Sequence, residues 1–231
     1  MCLAIVKPAS IVIPQAYLEH GCENNPDGAG FAVQHKGSVV IYKGFFTVED
    51  FLATWEQHQH KSAILHFRLA SAGDISHENC HPFRLTGGGA LIHNGHFTGY
   101  DHHPQHSDTA LWVATVLNPL LQRYPAALQD PVLLALLESA TQGSKVAILP
   151  RQGRTVVLHP DEWVANGGVL YSNKSYLPQP SYADIERPSG APPLPPNDSF
   201  GSYGPPPLAQ GTPSPTFGTP IMSPNDSASS F

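Results

Sequence analysis

The segment "MCLAIVKPAS" (residues 1–10) sets a cysteine directly behind the initiator methionine and follows it with "LAIV", so that residues 2–6 show the pattern of a short strand, interrupted by Lys7 and Pro8. Aminopeptidase processing removes an initiator methionine when the second residue is small, so the mature chain is expected to begin at Cys2. That residue would then carry a thiol and a free α-amine together. A thiol is a weak nucleophile at its ordinary pKa of about 8.5 and needs a base. An α-amine, with a pKa of about 7.7–8.0, is suited to take that proton near neutral pH.

Working outward, similar short apolar runs or alternations recur at residues 29–35, 38–42, 63–69 and 89–93, and again in "KVAILP", "TVVLH" and "GGVLYSN" between residues 145 and 173. All of these read as strands. Three stretches read as helices. Thr47 with Glu49 and Asp50 opens "VEDFLATWEQH", Ser107 with Asp108 opens "TALWVATVLNPLL", and Pro131 stands at the first position of "PVLLALLESA". Many strands with few helices between them point to an α+β layered domain with antiparallel sheets.

Composition narrows the function. The formal charge is −6 over 231 residues, and no Lys/Arg cluster occurs, which argues against nucleic-acid binding. No run of about 18 apolar residues is present, and "LAIV" is too short for a signal-peptide core, so neither membrane insertion nor secretion is expected. Cys2, Cys22 and Cys80 form no CxxC and are odd in number, which fits reduced thiols and a cytoplasmic location. Beyond residue 177 the character changes: from Pro178 to Phe231, 14 of 54 residues are proline, mixed with Gly, Ser and Asn. Such a segment cannot bury enough apolar surface to offset its ordering entropy, so residues 178–231 are expected to be a disordered tail. Its "PPLPP" could dock a tail-binding protein through a polyproline groove, or the tail could be a solvated tether.

Several stretches could carry chemistry. In "NNPDGAGFA" (24–32), Gly28 and Gly30 permit close backbone approaches, either as a plain loop or as a frame for the thiol. Arg68 stands in the apolar strand of "HFRLASAG", where a buried guanidinium needs a partner: a structural salt bridge, or a carboxylate gripped through two hydrogen bonds. Asn94 and Gly95 in "ALIHNGHF" could form a hairpin turn, or could aim a side-chain amide and a backbone N–H at a developing oxyanion. Asp108 in "SDT" could complement a helix dipole or bind an ammonium. Taken together, Cys2, Arg68, Asn94, Gly95 and Asp108 suit a small zwitterion with an amide, and glutamine fits.

At this point the sequence resembles the class II glutamine amidotransferases, the N-terminal nucleophile family. The motifs fall in chain order over residues 2–177: Cys2, "NPDGAG", "HFRLASAG", "HPF", "IHNG" and "SDT". The "NCHPF" and "SDT" forms are most similar to stand-alone glutaminase-domain members. The resemblance implies a four-layer αββα sandwich, the Ntn hydrolase fold. It implies Cys2 as nucleophile with its α-amine as base, and Asn94 and Gly95 as oxyanion hole. Arg68 would hold the glutamine carboxylate and Asp108 its amino group, with Ser71 and Gly73 lining the pocket. The reaction is hydrolysis of the side-chain amide through a thioester on Cys2, giving glutamate and ammonia, with no cofactor and no metal. No synthase domain is recognisable after residue 177, so the ammonia acceptor is expected to be a separate synthase or ligase.

Three other readings stay open. The site could serve a different amide. The run "HNGHFTGYDHHPQH", with His93, His96, His102, His103 and His106, could bind a metal. The domain could also be an inactive scaffold whose tail does the binding. His66, His77 and His81, like Cys22 and Cys80, are expected to be structural.

Overall fold

The computed structural model describes residues 2–100 and 103–178. Met1, Asp101, His102 and the Pro-rich segment from Gln179 onward lie outside the described residues. The strands are β1 (Leu3–Lys7), β2 (Ala29–His35), β3 (Ser38–Phe45), β4 (Ala63–Phe67), β5 (Phe83–Arg84), β6 (Ala90–Asn94), β7 (Lys145–Leu149), β8 (Val156–Val157), β9 (Val164–Asn166) and β10 (Val169–Tyr171). They form two wholly antiparallel sheets, one ordered β3-β2-β4-β1-β10-β9 and the other β5-β6-β7-β8.

Strand β1 lies between β4 and β10 with all five residues buried, which is why Leu3–Val6 read as an apolar run; the buried Lys7 that ends it donates from Nζ to the carbonyls of Gln59 and Lys61. Its alternate side chains serve two different cores. Leu3 and Ile5, with Phe31, Leu65 and Phe67, pack against Leu18, Cys22, Phe51 and Trp55 of the helices α1 (Gln15–Asn24) and α2 (Val48–Trp55). Ala4 and Val6, with Ala32 and Ile64, meet Ala90, Ile92, Ala147 and Leu149 of the second sheet. That sheet turns Leu91, Val146 and Ile148 to the far side, against α3 (Asp108–Trp112), α4 (Asn118–Arg123) and α5 (Pro131–Ala140). Small side chains predominate between the sheets, while large ones lie beneath the helices. The domain is therefore α+β, with helices on the outer face of each antiparallel sheet.

The expected helix starts hold in detail. Thr47 accepts the Asp50 N–H at 3.2 Å, Ser107 accepts that of Ala110 at 3.2 Å, and Asp130 accepts those of Val132 and Leu133. Between α3 and α4 the helix widens into a π turn over Val113–Leu117, where Pro119 has no N–H to give the Thr115 carbonyl. Helix α1 is not announced by the sequence. Pro14 at its start offers no side-chain cap, and the central Gly21 is a poor helix former. The glycine is explained by packing: a Cβ there would stand 3.1 Å from both Leu3 and Phe67. Among the described residues, no helix is long and apolar enough to cross a membrane.

Candidate functional site

The register of β1 on β4 pairs Leu3 with Phe67, which brings Cys2 alongside the residues just beyond β4. There the Cys2 Sγ lies 3.3 Å from both the Leu69 N–H, which donates to it, and the Leu69 carbonyl, to which the thiol donates. The Cys2 carbonyl accepts from Asn173 Nδ2 at 2.7 Å. Burial pushes the Cys2 thiol pKa up, while the Leu69 hydrogen bond and the Arg68 charge pull it down. With Met1 in place the Cys2 nitrogen is an amide, so a base exists on this residue only after processing.

Arg68 is buried, and it follows β4 rather than lying inside the strand as the sequence suggested. Its guanidinium donates to three loop carbonyls: Asp74 at 2.9 Å, Ala72 at 2.9 Å and Gly73 at 3.4 Å. Among the described residues no carboxylate pairs with it, so of the two readings of Arg68 the structural salt bridge is not seen; carbonyl dipoles orient the charge without neutralising it. Asp27 fastens the same region. Its N–H donates to the Arg68 carbonyl at 2.9 Å, and its Oδ2 accepts the Ala70 N–H at 2.7 Å. Gly28 is required next to it, since at φ +126° a Cβ would collide with the Cys80 Sγ. The "NPDGAG" loop thus packs on the strand end beside the thiol's neighbour.

The loop held by Arg68 crosses to the second sheet. Gly73, at φ +69°, packs so closely on residues 106–107 that a Cβ would stand 2.6 Å from the Ser107 nitrogen. Ser71 lies exposed two residues before it. Asn79, fully buried, seals the junction: it donates to the carbonyls of Asp74 at 3.0 Å and Gln105 at 2.6 Å, and accepts the Ser107 N–H at 2.8 Å.

Asp108 follows Ser107 at the start of α3 and is buried. Its Oδ2 accepts the Phe97 N–H at 2.7 Å, its Oδ1 the Thr109 N–H at 2.7 Å, and His96 Nδ1 stands 3.7 Å from Oδ2. Phe97 is two residues past Gly95. Asn94 ends β6, so the Asn-Gly pair is no hairpin turn; the chain runs on to α3. Gly95 is demanded by Ser144: a Cβ would collide with its Oγ and stand 2.8 Å from its Cα. Asn94 Nδ2 donates to Ser172 Oγ at 2.8 Å, and the same oxygen accepts the Ala4 N–H at 2.9 Å.

These interactions close into a circuit. It runs from Cys2 to Leu69 and Arg68, through Gly73 and Asn79 to Ser107 and Asp108, through Phe97 to Gly95 and Asn94, and through Ser172 back to β1. Cys2, Arg68, Gly73, Asn94, Gly95 and Asp108, dispersed over 107 positions of sequence, are brought into it. Asn79, Ser172 and Asn173 do not stand out in the sequence, and Asp27 does so only as part of "NPDGAG". Their partners are set by topology.

The histidines divide. His66 and His81 are buried with ring centroids 3.9 Å apart, and burial lowers both pKa values, that of His66 to about 3. His93 is buried as well, stacked 4.0 Å from Phe97, with Nδ1 2.8 Å from Thr109 Oγ1 and a pKa lowered by burial to about 4. His103 and His106 instead stack on each other in the loop, 4.5 Å apart. Among the described residues no group of three or more His, Cys, Asp or Glu is arranged to hold a metal.

No protein-family model and no curated protein matches the sequence. Solved structures are similar. Glutamine phosphoribosylpyrophosphate amidotransferase from B. subtilis, complexed with ADP and GMP, matches with a TM-score of 0.49 and 18% identity over 76% of this chain, which spans 42% of that enzyme. A predicted glutamine amidotransferase from Pseudomonas aeruginosa PA01 matches with a TM-score of 0.38 and 16% identity over 74% of this chain and 78% of that one. A glutamine aminotransferase class-II domain protein from Silicibacter pomeroyi matches with a TM-score of 0.36 and 16% identity over 66% and 74% of the two chains.

Proposed function

We propose that residues 2–177 are a glutaminase domain of the class II amidotransferase type, a four-layer αββα Ntn hydrolase, and that residues 178–231 are a Pro-rich tether. The observation that carries this reading is the closed circuit joining Cys2, Arg68, Asp108 and Asn94. It links a nucleophile before β1, a buried cation held by carbonyls after β4, an amide donor at the end of β6 and a buried carboxylate at the start of α3. After removal of Met1, the Cys2 α-amine takes the thiol proton and the sulfur attacks the side-chain amide carbon of glutamine. The carbonyl oxygen becomes an oxyanion facing the Asn94 amide and the Gly95 N–H. Collapse breaks the C–N bond, the ammonium of Cys2 returns its proton to the leaving nitrogen, and ammonia departs. Water, deprotonated by the same amine, then hydrolyses the γ-glutamyl thioester to glutamate.

Arg68 attracts the glutamine α-carboxylate and Asp108 the α-ammonium, with Ser71 and Gly73 at the pocket wall. These steps need no metal or organic cofactor from the protein. The released ammonia serves a separate acceptor enzyme, a synthase or ligase, in the cytoplasm, and the tail is the natural element to recruit it. One observation favours a second reading. The Arg68 guanidinium already donates to three carbonyls, and a substrate without a carboxylate would leave those bonds undisturbed. A substrate panel run on processed protein separates the two. Ammonia release from glutamine, abolished in Cys2→Ala, supports the glutaminase; release only from amides lacking an α-carboxylate overturns it in favour of a different amidohydrolase.

A further inference from the structure

Ser172 and Asn173 follow β10 and face two different functional groups. Ser172, buried, accepts both the Ala4 N–H at 2.9 Å and the Asn94 Nδ2 at 2.8 Å, while its own N–H donates to the Ala4 carbonyl at 2.9 Å. A hydroxyl oxygen accepts at two lone-pair positions, and here both are taken. Asn173 donates from Nδ2 to the Cys2 carbonyl at 2.7 Å, and its Oδ1 accepts the Ser175 N–H at 2.9 Å, which locks its amide.

From this geometry we infer that Ser172 and Asn173 are paired positioning residues, one setting the Asn94 amide and the other setting the backbone of Cys2. This inference rests on the glutaminase reading. An oxyanion donor is effective only if it is fixed before charge develops, because a free amide would have to reorient during the reaction. Asn94 stands at the end of β6, in the smaller sheet, whereas Cys2 precedes β1 in the larger one. Nothing in the ladder of either sheet sets the distance between them. The His66 ring, with Nε2 3.0 Å from the His93 carbonyl, ties β4 to the β6 backbone one residue before Asn94, and the Ser172 hydroxyl adds the link to the side chain itself, joining the Asn94 amide to a backbone N–H two residues from Cys2. A carboxamide nitrogen has two N–H groups, so the one directed at Ser172 orients the second for a substrate oxygen. Asn173 completes the arrangement by pinning the Cys2 carbonyl, which limits rotation of the residue that bears both nucleophile and base.

The two residues have separable signatures. Ser172→Ala leaves the thiol anchored but frees the Asn94 amide, so kcat for glutamine falls about ten- to a hundred-fold with little change in KM, by comparison with outright loss of an oxyanion donor. Asn173→Ala frees the Cys2 backbone, so the rate of Cys2 alkylation by iodoacetamide changes as well. The experiment measures, on the processed full chain, kcat and KM for glutamine, the iodoacetamide rate, the melting temperature and the ¹⁵N-resolved side-chain amide signals of Asn94. The expected result is that Ser172→Ala loses kcat and shifts one Asn94 N–H signal while alkylation stays at the wild-type rate. Ser172→Ala with wild-type kcat beside an active wild type overturns the inference, as does an unmoved Asn94 signal. If kcat, alkylation and melting fall together in Ser172→Ala but not in Asn173→Ala, the serine is merely structural and the inference is overturned. A wild type that turns over no glutamine sinks the glutaminase reading, and the Asn94 signal then decides whether the link exists.

Discussion

The Asp108 carboxylate accepts the Phe97 N–H at 2.7 Å, so the residue that opens α3 also holds the chain two positions beyond Gly95. One side chain therefore couples the expected ammonium site to the expected oxyanion hole. Asp108→Asn keeps an acceptor for one of these N–H groups and removes the charge, and is expected to raise KM for glutamine at least tenfold with a modest change in melting. Asp108→Ala leaves the Phe97 and Thr109 N–H groups without their acceptor and should in addition destabilise the fold by about 1–3 kcal/mol. Steady-state kinetics and thermal melts on both variants separate the two roles.

Gly95→Ala tests the close approach that makes Asn94-Gly95 possible. The added methyl would collide with the Ser144 Oγ and would also stand 2.8 Å from the backbone of that residue, at its Cα. We expect a loss of about 1–3 kcal/mol in urea unfolding. Because the clash with the backbone remains when the side chain is removed, combining the substitution with Ser144→Gly should restore only part of that loss.

Acid should destabilise the protein through its buried histidines. Burial lowers the pKa of His66 to about 3 and of His93 to about 4, and that of His81 well below its ordinary value near 6.5. Between pH 6.5 and those values the unfolded chain binds protons that the folded chain refuses, so stability is full above pH 6.5 and falls as pH drops toward 4 and 3. Each histidine contributes up to about 1.4 kcal/mol per pH unit in that window. Denaturant midpoints measured from pH 7 to pH 4 should decline steeply, and less so in His81→Phe.

Asn79→Ala should loosen the loop pair around Gly73. The variant strands the Gln105 carbonyl and the Ser107 N–H, while the Asp74 carbonyl loses one of its two donors and keeps Arg68. Hydrogen exchange is expected to quicken at residues 72–80 and 103–107 while β1 and β4 stay protected. Uniform exchange across the domain would mean that Asn79 supports the whole fold rather than the junction.

How much of this is legible in the sequence depends on whether a feature is local. The runs that form β1, β2, β4, β6 and β7 announce themselves because both faces of those strands are covered and nearly every position is apolar. The caps Thr47 and Ser107 are equally local. Helix α1 escapes because Pro14 hides its start and Gly21 is excused only by Leu3 and Phe67, far away in sequence. Strands β5 and β9 span two and three residues and end in the polar Arg84 and Asn166, whereas the equally short β8 and β10 lie within the apolar stretches "TVVLH" and "GGVLYSN". Ser172 meets Ala4 across 168 positions and Asn94 across 78, so its place in the circuit is a product of topology alone. Arg68 reads as a buried cation in want of a partner, yet that its partners are the carbonyls of residues 72–74 follows only from the loop's fold.

Cys2, freed of Met1, is on this reading a nucleophile in a pocket that selects glutamine. Intact-protein mass spectrometry before and after treatment with a glutamine-mimicking diazo-ketone tests that claim directly, with Cys2→Ala and Arg68→Ala alongside. The predicted result is a chain lacking Met1 that gains a single adduct at Cys2, absent from both variants. A chain that retains Met1, or a processed one whose Cys2 stays unlabelled, contradicts it.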